Sequence, residues 1–384
     1  MPTNDNELGI AINFRKAQAA NVTVAASSRN ERLRDRLAGV LLGTAVGDSV
    51  GLPAEGLSPS RRKRLFPGPW RQRFALGRGM ISDDTEHTLM VAQSILAQPG
   101  DPTAFARSLA WRLRWWFIGL PAGVGLATAR ACLKLWLGFP AGRNGVRSAG
   151  NGPAMRSAVI GAYFGSDTAT IKQFVEASTR LTHTDPRAQT GALAVARLAA
   201  WSVQHEPTDP PSADFTAELL TALAPTDREW CELIETMRIA WLRGDLVADF
   251  ASSRGLDHGV TGYVYHTVPV AVYSWLRHYG DFRGAMQAAL DCGGDSDTVG
   301  AIVGAIAGGT IGASRLPADW ISGIIDWPRS TGLLRRVAEQ LADQQQDGQP
   351  RRPIGYFWPA VPPRNLLFLF IVLLHGFRRL APPY

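Results

Sequence analysis

Apolar residues recur at helical spacing along almost the whole chain, and strand-like alternation is rare. From Leu33 the apolar or small positions are Leu33, Leu37, Val40, Leu41 and Thr44, the i, i+4, i+7, i+8 stripe of an amphipathic helix. Gly51 and Pro53 end that helix. A second helix starts at Ser82-Asp83-Asp84-Thr85 and carries Leu89, Met90, Ala92, Ile95 and Leu96. Similar patterns cover 104–118, 124–138, 154–164, 187–204, 215–223, 228–242, 266–278 and 298–312. Of the 384 residues 46% are hydrophobic and 19% charged, enough apolar material for a large core. The pattern predicts an all-α, compact multi-helix fold without internal repeats.

The margins of the chain read differently. Residues 1–30 are polar and aperiodic, an expected N-terminal arm, and MPTNDNELGI has no signal-peptide core. The Pro/Ser-rich stretch 206–213 and the Gln/Asp-rich stretch 343–350 read as loops. Near the other end, LLFLFIVLL at Leu366–Leu374 is strongly apolar, but far short of the ~20 residues that span a bilayer. It is expected to pack into a groove on the core, with membrane contact or an oligomer contact as the lesser readings.

The formal charge of +7 would suit polyanionic partners, yet the excess is diffuse. Its one compact run, Arg61-Arg62-Lys63-Arg64, reads as a solvated loop. Trp111, Trp115 and Trp116 read as one buried helix face, so nucleic acid is not expected as a partner. Three scattered cysteines, Cys132, Cys231 and Cys292, suggest neither a disulfide framework nor zinc, and a reducing cytoplasm is the expected setting.

Two acidic clusters raise the chemical question. GGDSDTVGAIVGAIAGG sets Asp295, Asp297 and Thr298 at the mouth of an apolar helix, and MISDDTEHTLM does the same with Ser82, Asp83, Asp84 and Thr85. Each can be read as a helix cap, and Asp83 with Glu86 as a capping box. One cap oxygen is enough, however, and each site offers two carboxylates and a hydroxyl. Carboxylates brought together repel unless a cation intervenes, and an all-oxygen set suits Mg²⁺ or Mn²⁺ rather than zinc. Glu55, in GLPAEG, is a further acid at the end of the first core helix. Residues alone leave cap and metal site both open.

Taken together, GTAVGDSVGLPAEG, ISDDT and GGDSDTVGAIVGAIAGG resemble the ADP-ribosylglycohydrolases, the dinitrogenase-reductase-activating glycohydrolase type. AGNGPAMR at 149–156, LTHTDPRA at 181–188 and TGYVYHTVPVA at 261–271 extend the resemblance over roughly residues 32–330. It implies an all-α catalytic domain over 31–330 with a central binuclear Mg²⁺ or Mn²⁺ cleft, followed by a C-terminal extension, 331–384. It implies Ser82, Asp83, Asp84, Asp295, Asp297 and Thr298 as metal ligands, and Glu55 with Asp297 as catalytic residues. Asn151, Gly152, His183 and Tyr263 would contact ADP-ribose, with backbone N–H groups of the Gly-Asn-Gly turn free to approach a pyrophosphate. Serine at 82, where the family commonly has threonine, and the polar Glu86-His87 pair are departures.

The implied activity is metal-dependent hydrolysis of the bond between ADP-ribose and a protein side chain, arginine first and serine or another O-linked acceptor behind it. An ADP-ribosylated protein is the expected partner. The alternative is an immunity protein whose N-terminal arm blocks an ADP-ribosylating toxin, with or without hydrolysis.

Overall fold

The computed structural model describes residues 30–380. Apart from Asn30, which opens the first helix, the expected N-terminal arm lies outside the described residues. The all-α expectation is met: among the described residues there are helices and isolated β-bridges but no β-strand.

Two helices form the axis, α1 (residues 30–51) and α6 (Ser296–Ile311). Both are buried on every side once past the first turns of α1. They run antiparallel, and their contact is made by glycine. A Cβ on Gly39 would lie 2.1 Å from the Gly308 carbonyl oxygen, one on Gly43 2.0 Å from that of Gly304, and one on Gly47 1.9 Å from that of Gly300. Only glycine permits such an approach, and the backbones touch along four turns. The C-terminal end of α1 therefore sits beside the N-terminal start of α6. Gly51 meets Ser296, whose Oγ donates to the Gly51 carbonyl at 2.8 Å.

Around this axis pack α2 (Asp83–Ala97), α4 (Pro186–Gln204) and α5 (Val264–Arg277), and α3 (Pro102–Ile118) packs on α2. The sequence pattern at 154–164 predicts one helix. The structure breaks it into Gly152–Met155 and Ala158–Phe164, because Arg156 turns inward there. Arg156 is fully buried and donates to Ser178 Oγ, the Ser178 carbonyl and Thr182 Oγ1 at 3.1, 2.9 and 2.7 Å.

After residue 330 the described chain packs against this same body. In α7 (Thr331–Asp347), Leu333, Leu334, Val337 and Leu341 are buried in the main cluster. This helix runs into the stretch expected as a loop, because Gln344 is buried and donates to the Leu96 carbonyl at 2.7 Å. The apolar run then forms α8 (Val361–Arg378), twice the length its nine apolar residues suggest. It docks as expected, but by one face only. Val361, Arg364, Asn365 and Phe368 are buried, while Leu366, Phe370 and Leu374 stay exposed.

Two further expectations need correction. Residues 61–64 form part of a short helix, Pro59–Leu65, capped by Ser58, because Arg62 stacks 4.0 Å over Trp70 and pairs with Asp291 at 3.5 Å. Of the tryptophans on α3 only Trp116 is buried; its indole donates to Glu86 at 2.5 Å. Trp111 and Trp115 are exposed and pack edge-on against each other.

Candidate active site

The glycines before Asp295 are explained by backbone crowding. Gly294 has φ +79°, and a Cβ there would lie 2.0 Å from the Val260 carbonyl oxygen. Freed of side chains, this segment is pinned between two others. Gly294 N–H donates to Leu57 at 2.8 Å, Gly56 N–H donates back at 2.7 Å, and Asp295 N–H donates to Val260 at 2.8 Å. Asp295 takes the N-cap position of α6, yet its carboxylate makes no capping bond. It is held instead by the Asn151 amide, which donates to Oδ2 at 2.5 Å and to Thr267 Oγ1 at 2.9 Å.

The second cluster does cap its helix, through the hydroxyl: Ser82 Oγ accepts from Asp84 N–H at 3.3 Å. Its acids are left for other work. Asp84 Oδ2 accepts from Ser82 Oγ at 3.2 Å and from Thr298 Oγ1 at 3.3 Å, so the two helix starts touch. Glu55 follows the 3-10 turn Leu52–Ala54 that extends α1. Glu55, Asp295 and Asp297 each place a carboxylate oxygen within 4.8 Å of the others.

Electrostatically this is an unstable set without a counter-ion. Asp83, Asp84 and Asp297 are all driven well above the ordinary carboxylate range, first by burial and then by neighbouring carboxylates. Glu55 is raised by desolvation and by Asp295, against the opposing pull of Arg379. Asp84 Oδ1 and Asp297 Oδ1 are buried and lack any hydrogen-bond partner. Orphaned buried carboxylate oxygens in an all-oxygen cluster fit a hard cation, and the cluster could hold one.

Asp48 is a member that the sequence reading missed. Fully buried near the end of α1, it accepts from Ser82 N–H at 2.9 Å, Thr85 N–H at 3.2 Å and Thr85 Oγ1 at 2.5 Å. Burial outweighs these donors and pushes its carboxyl up to about 7. It clamps the start of α2 from outside and so aims Ser82, Asp83 and Asp84. Its signal lay in GDSVG, where an acid sits inside an apolar helix with no role in capping.

These groups open onto a cleft of about 570 Å³, lined by Glu55, Ser82, Asp83, Asp295, Asp297 and Thr298 at one side and by Ser148, Gly150, Asn151, Gly152 and His183 at the other. His183 packs under the loop, where a Cβ on Gly150 or Gly152 would come within 3.0 or 3.1 Å of its ring. Burial and Arg156 lower its pKa to about 3, so the imidazole is neutral, with Nδ1 2.8 Å from Thr182 Oγ1. The loop is not a fan of free donors. Gly150 N–H is spent on Ser148 Oγ at 3.2 Å and Asn151 N–H on the Gly262 carbonyl at 3.0 Å.

Tyr263 is not among the cleft-lining residues. Its hydroxyl donates to Glu229 at 2.8 Å, and Arg187 lies over its ring at 5.7 Å, which draws the side chain toward that ion pair. Neighbouring Gly262 takes the cleft position. The polar pair at 86–87 also points away. Glu86 is buried in ion pairs with Arg329 at 2.5 Å and Arg364 at 3.2 Å, and His87 meets the Trp116 ring edge-on at 4.4 Å.

One wall comes from α8. Phe368 and Val372 line the cleft, and Arg379 donates to the backbone carbonyls of Glu55 at 2.7 Å and Pro53 at 3.0 Å. The loop that carries Glu55 is thus held by the residue that caps the last described helix.

A family model described as ADP-ribosylglycohydrolase matches residues 29–351. The chain belongs to the ADP-ribosylglycohydrolase family. It is 24% identical to the ADP-ribosyl-[dinitrogen reductase] glycohydrolase of Rhodospirillum rubrum, over 76% of this chain and 90% of that one. It is 26% identical to the ADP-ribosylarginine hydrolase Tri1 of Pseudomonas putida, over 82% and 80%. A solved structure titled ADP-ribosylglycohydrolase-related protein complex matches with a TM-score of 0.59 and 26% identity, over 82% of this chain and 99% of that one. Family membership supports an ADP-ribose-removing hydrolase. The ADP-ribosylglycohydrolase match stops before α8, so the wall that α8 builds lies beyond it.

Proposed function

We propose that this protein is a Mg²⁺- or Mn²⁺-dependent hydrolase that removes ADP-ribose from modified protein side chains, with arginine as the acceptor. The observation that carries this is the meeting of two helix starts, with Asp84 Oδ1 and Asp297 Oδ1 left unpaired inside an all-oxygen cluster. Ser82, Asp83, Asp84, Asp295, Asp297 and Thr298 would hold two ions. Such a pair, when bound, supplies Lewis acidity toward ribose hydroxyls and water. Arginine is favoured by the likeness to the ADP-ribosylarginine hydrolase of Pseudomonas putida.

The chain's own groups then divide the remaining work. The cleft volume is in the range of nucleotide-sized ligands. Gly150 and Gly152 let the His183 ring pack close under the loop, and that ring is neutral where it lines the cleft. Positive charge develops at the anomeric carbon as the glycosidic bond breaks, and carboxylates beside it lower that barrier. Glu55, at the accessible edge of the cluster, exchanges the proton with the leaving nitrogen or the incoming water.

The test is release of ADP-ribose from arginine- and serine-linked protein substrates, measured with Mg²⁺ and with EDTA. Wild type should release it from the arginine linkage in Mg²⁺ only, and Asp297→Ala should not. Undiminished release in EDTA and by a folded Asp297→Ala protein would end the proposal. Release from the serine linkage alone would reassign the acceptor.

A further inference from the structure

The helix α8 has two apolar faces, and the protein covers one. The covered face is fixed by polar anchors. Arg364 is buried and pairs with Asp326 and Glu86, Asn365 donates to the Gly119 carbonyl at 2.7 Å, and Arg379 grips Glu55 and Pro53. The other face carries Leu366, Phe370, Leu373, Leu374 and Phe377, each at least half exposed, and exposed Leu380 follows just past the helix end. The spacing of the five on the helix, i, i+4, i+7, i+8 and i+11, makes one continuous stripe along it. A contiguous apolar stripe on a protein surface marks a contact with something else.

Charge identifies the partner. Arg61 donates to the Arg379 carbonyl at 3.0 Å, which brings the Pro59–Leu65 helix to the end of α8. That helix adds exposed Lys63 and Arg64 near the C-terminal end of α8, on a chain of formal charge +7. At the opposite end, exposed Trp327 and Phe357 pack at 6.0 Å, aromatic rings of the kind that settle at headgroup level. Apolar stripe, basic flank and interfacial aromatics together fit an anionic lipid surface. A second copy of the chain fits less well. A second copy would set one chain of formal charge +7 against another, a repulsion that an anionic lipid surface replaces with attraction.

Length and composition would also allow α8 to cross a membrane. The covered face argues against it, since insertion would tear Arg364 from two buried carboxylates. We propose that the outer face of α8 rests in the headgroup–acyl boundary of an anionic membrane, while its inner face stays docked as a wall of the cleft. The proposal does not depend on the hydrolase reading.

The test is flotation of the full-length protein with phosphatidylcholine vesicles, alone or with about a quarter phosphatidylglycerol. Wild type should float with the anionic vesicles and several-fold less with the neutral ones, and binding should fall as NaCl rises from about 0.1 to about 0.5 M. Phe370→Glu with Leu374→Glu should weaken anionic-vesicle binding at least tenfold. Lys63→Glu with Arg64→Glu should weaken it about fivefold per charge, and neither pair should alter the helical circular dichroism or ADP-ribose release. Failure of wild type to float, or equal flotation of the Phe370→Glu, Leu374→Glu protein, overturns the proposal. A concentration-dependent dimer that the same pair abolishes would overturn it too, assigning the stripe to a second copy.

Discussion

Thr298 donates from Oγ1 to Asp84 Oδ2 at 3.3 Å, joining the first turns of α6 and α2 across 214 positions of chain. Neither residue is needed there to finish its own helix, because Ser82 caps α2 and Asp295 takes the N-cap position of α6. The bond aligns two acidic helix starts on one volume.

Asp84→Asn should therefore have opposite effects with and without metal. In EDTA the variant should melt at or above the wild-type temperature, since it removes one of several crowded carboxylates. Saturating Mg²⁺ should stabilise wild type, by about 2.7 kcal/mol at a hundredfold excess over Kd, and leave Asp84→Asn unmoved. Differential scanning fluorimetry reads both. Hydrolysis should fall at least ~100-fold.

Metal-free protein should lose stability as pH rises. Asp48 titrates near 3.8 unfolded but at about 7 folded, and Asp83, Asp84 and Asp297 are shifted in the same direction. Between those values the native state holds protons that the unfolded chain has released, so unfolding becomes easier with each pH unit. The slope is up to about 1.4 kcal/mol per unit for each such group. Urea titrations in EDTA from about pH 4 to 7 should show the decline, and Mg²⁺ should flatten it at the neutral end.

Arg379→Ala should act on turnover more than on substrate affinity. Its two bonds to the Glu55 and Pro53 carbonyls hold the loop without entering the cleft-lining set. Loss of that clamp should lower kcat about tenfold, with KM changed less than threefold, because misplacing one group by an ångström costs up to ~100-fold. Arg379→Lys, able to reach one carbonyl, should recover part of the rate. Steady-state ADP-ribose release is the measurement.

Gly47→Ala should cost stability at the top of the roughly 1–3 kcal/mol range for overpacking, since its Cβ would lie 1.9 Å from the Gly300 carbonyl oxygen. Gly376→Ala, in open space on α8, should be neutral or stabilising by up to ~1 kcal/mol. Chemical denaturation of both variants separates glycine used for contact from glycine that merely occurs.

Helix content, the two acidic clusters and most of the cleft were legible because they are local patterns: 3.6-residue periodicity, and acids gathered at a helix mouth. What escaped depends on long-range contact. Asp48 looks like one acid inside an apolar helix until Ser82 and Thr85 are seen to need its oxygens. Tyr263 sits in a motif that does reach the cleft, but Glu229 and Arg187 claim its side chain. The Glu86 departure makes sense only beside Arg329 and Arg364, more than two hundred positions away. The glycines of α1 and α6 were visible at every fourth position, yet only the partner helix gives that spacing its meaning.

Because α1 and α6 meet main chain to main chain, the spacing of the two backbones at their shared, acid-bearing end is set by peptide contact and not by interdigitating side chains. The acidic cluster rests on a stiff seam, while the facing walls of the cleft are borne by the 148–152 loop and by α8. Changes in what the enzyme recognises can thus accumulate at the rim without retuning the acids beneath.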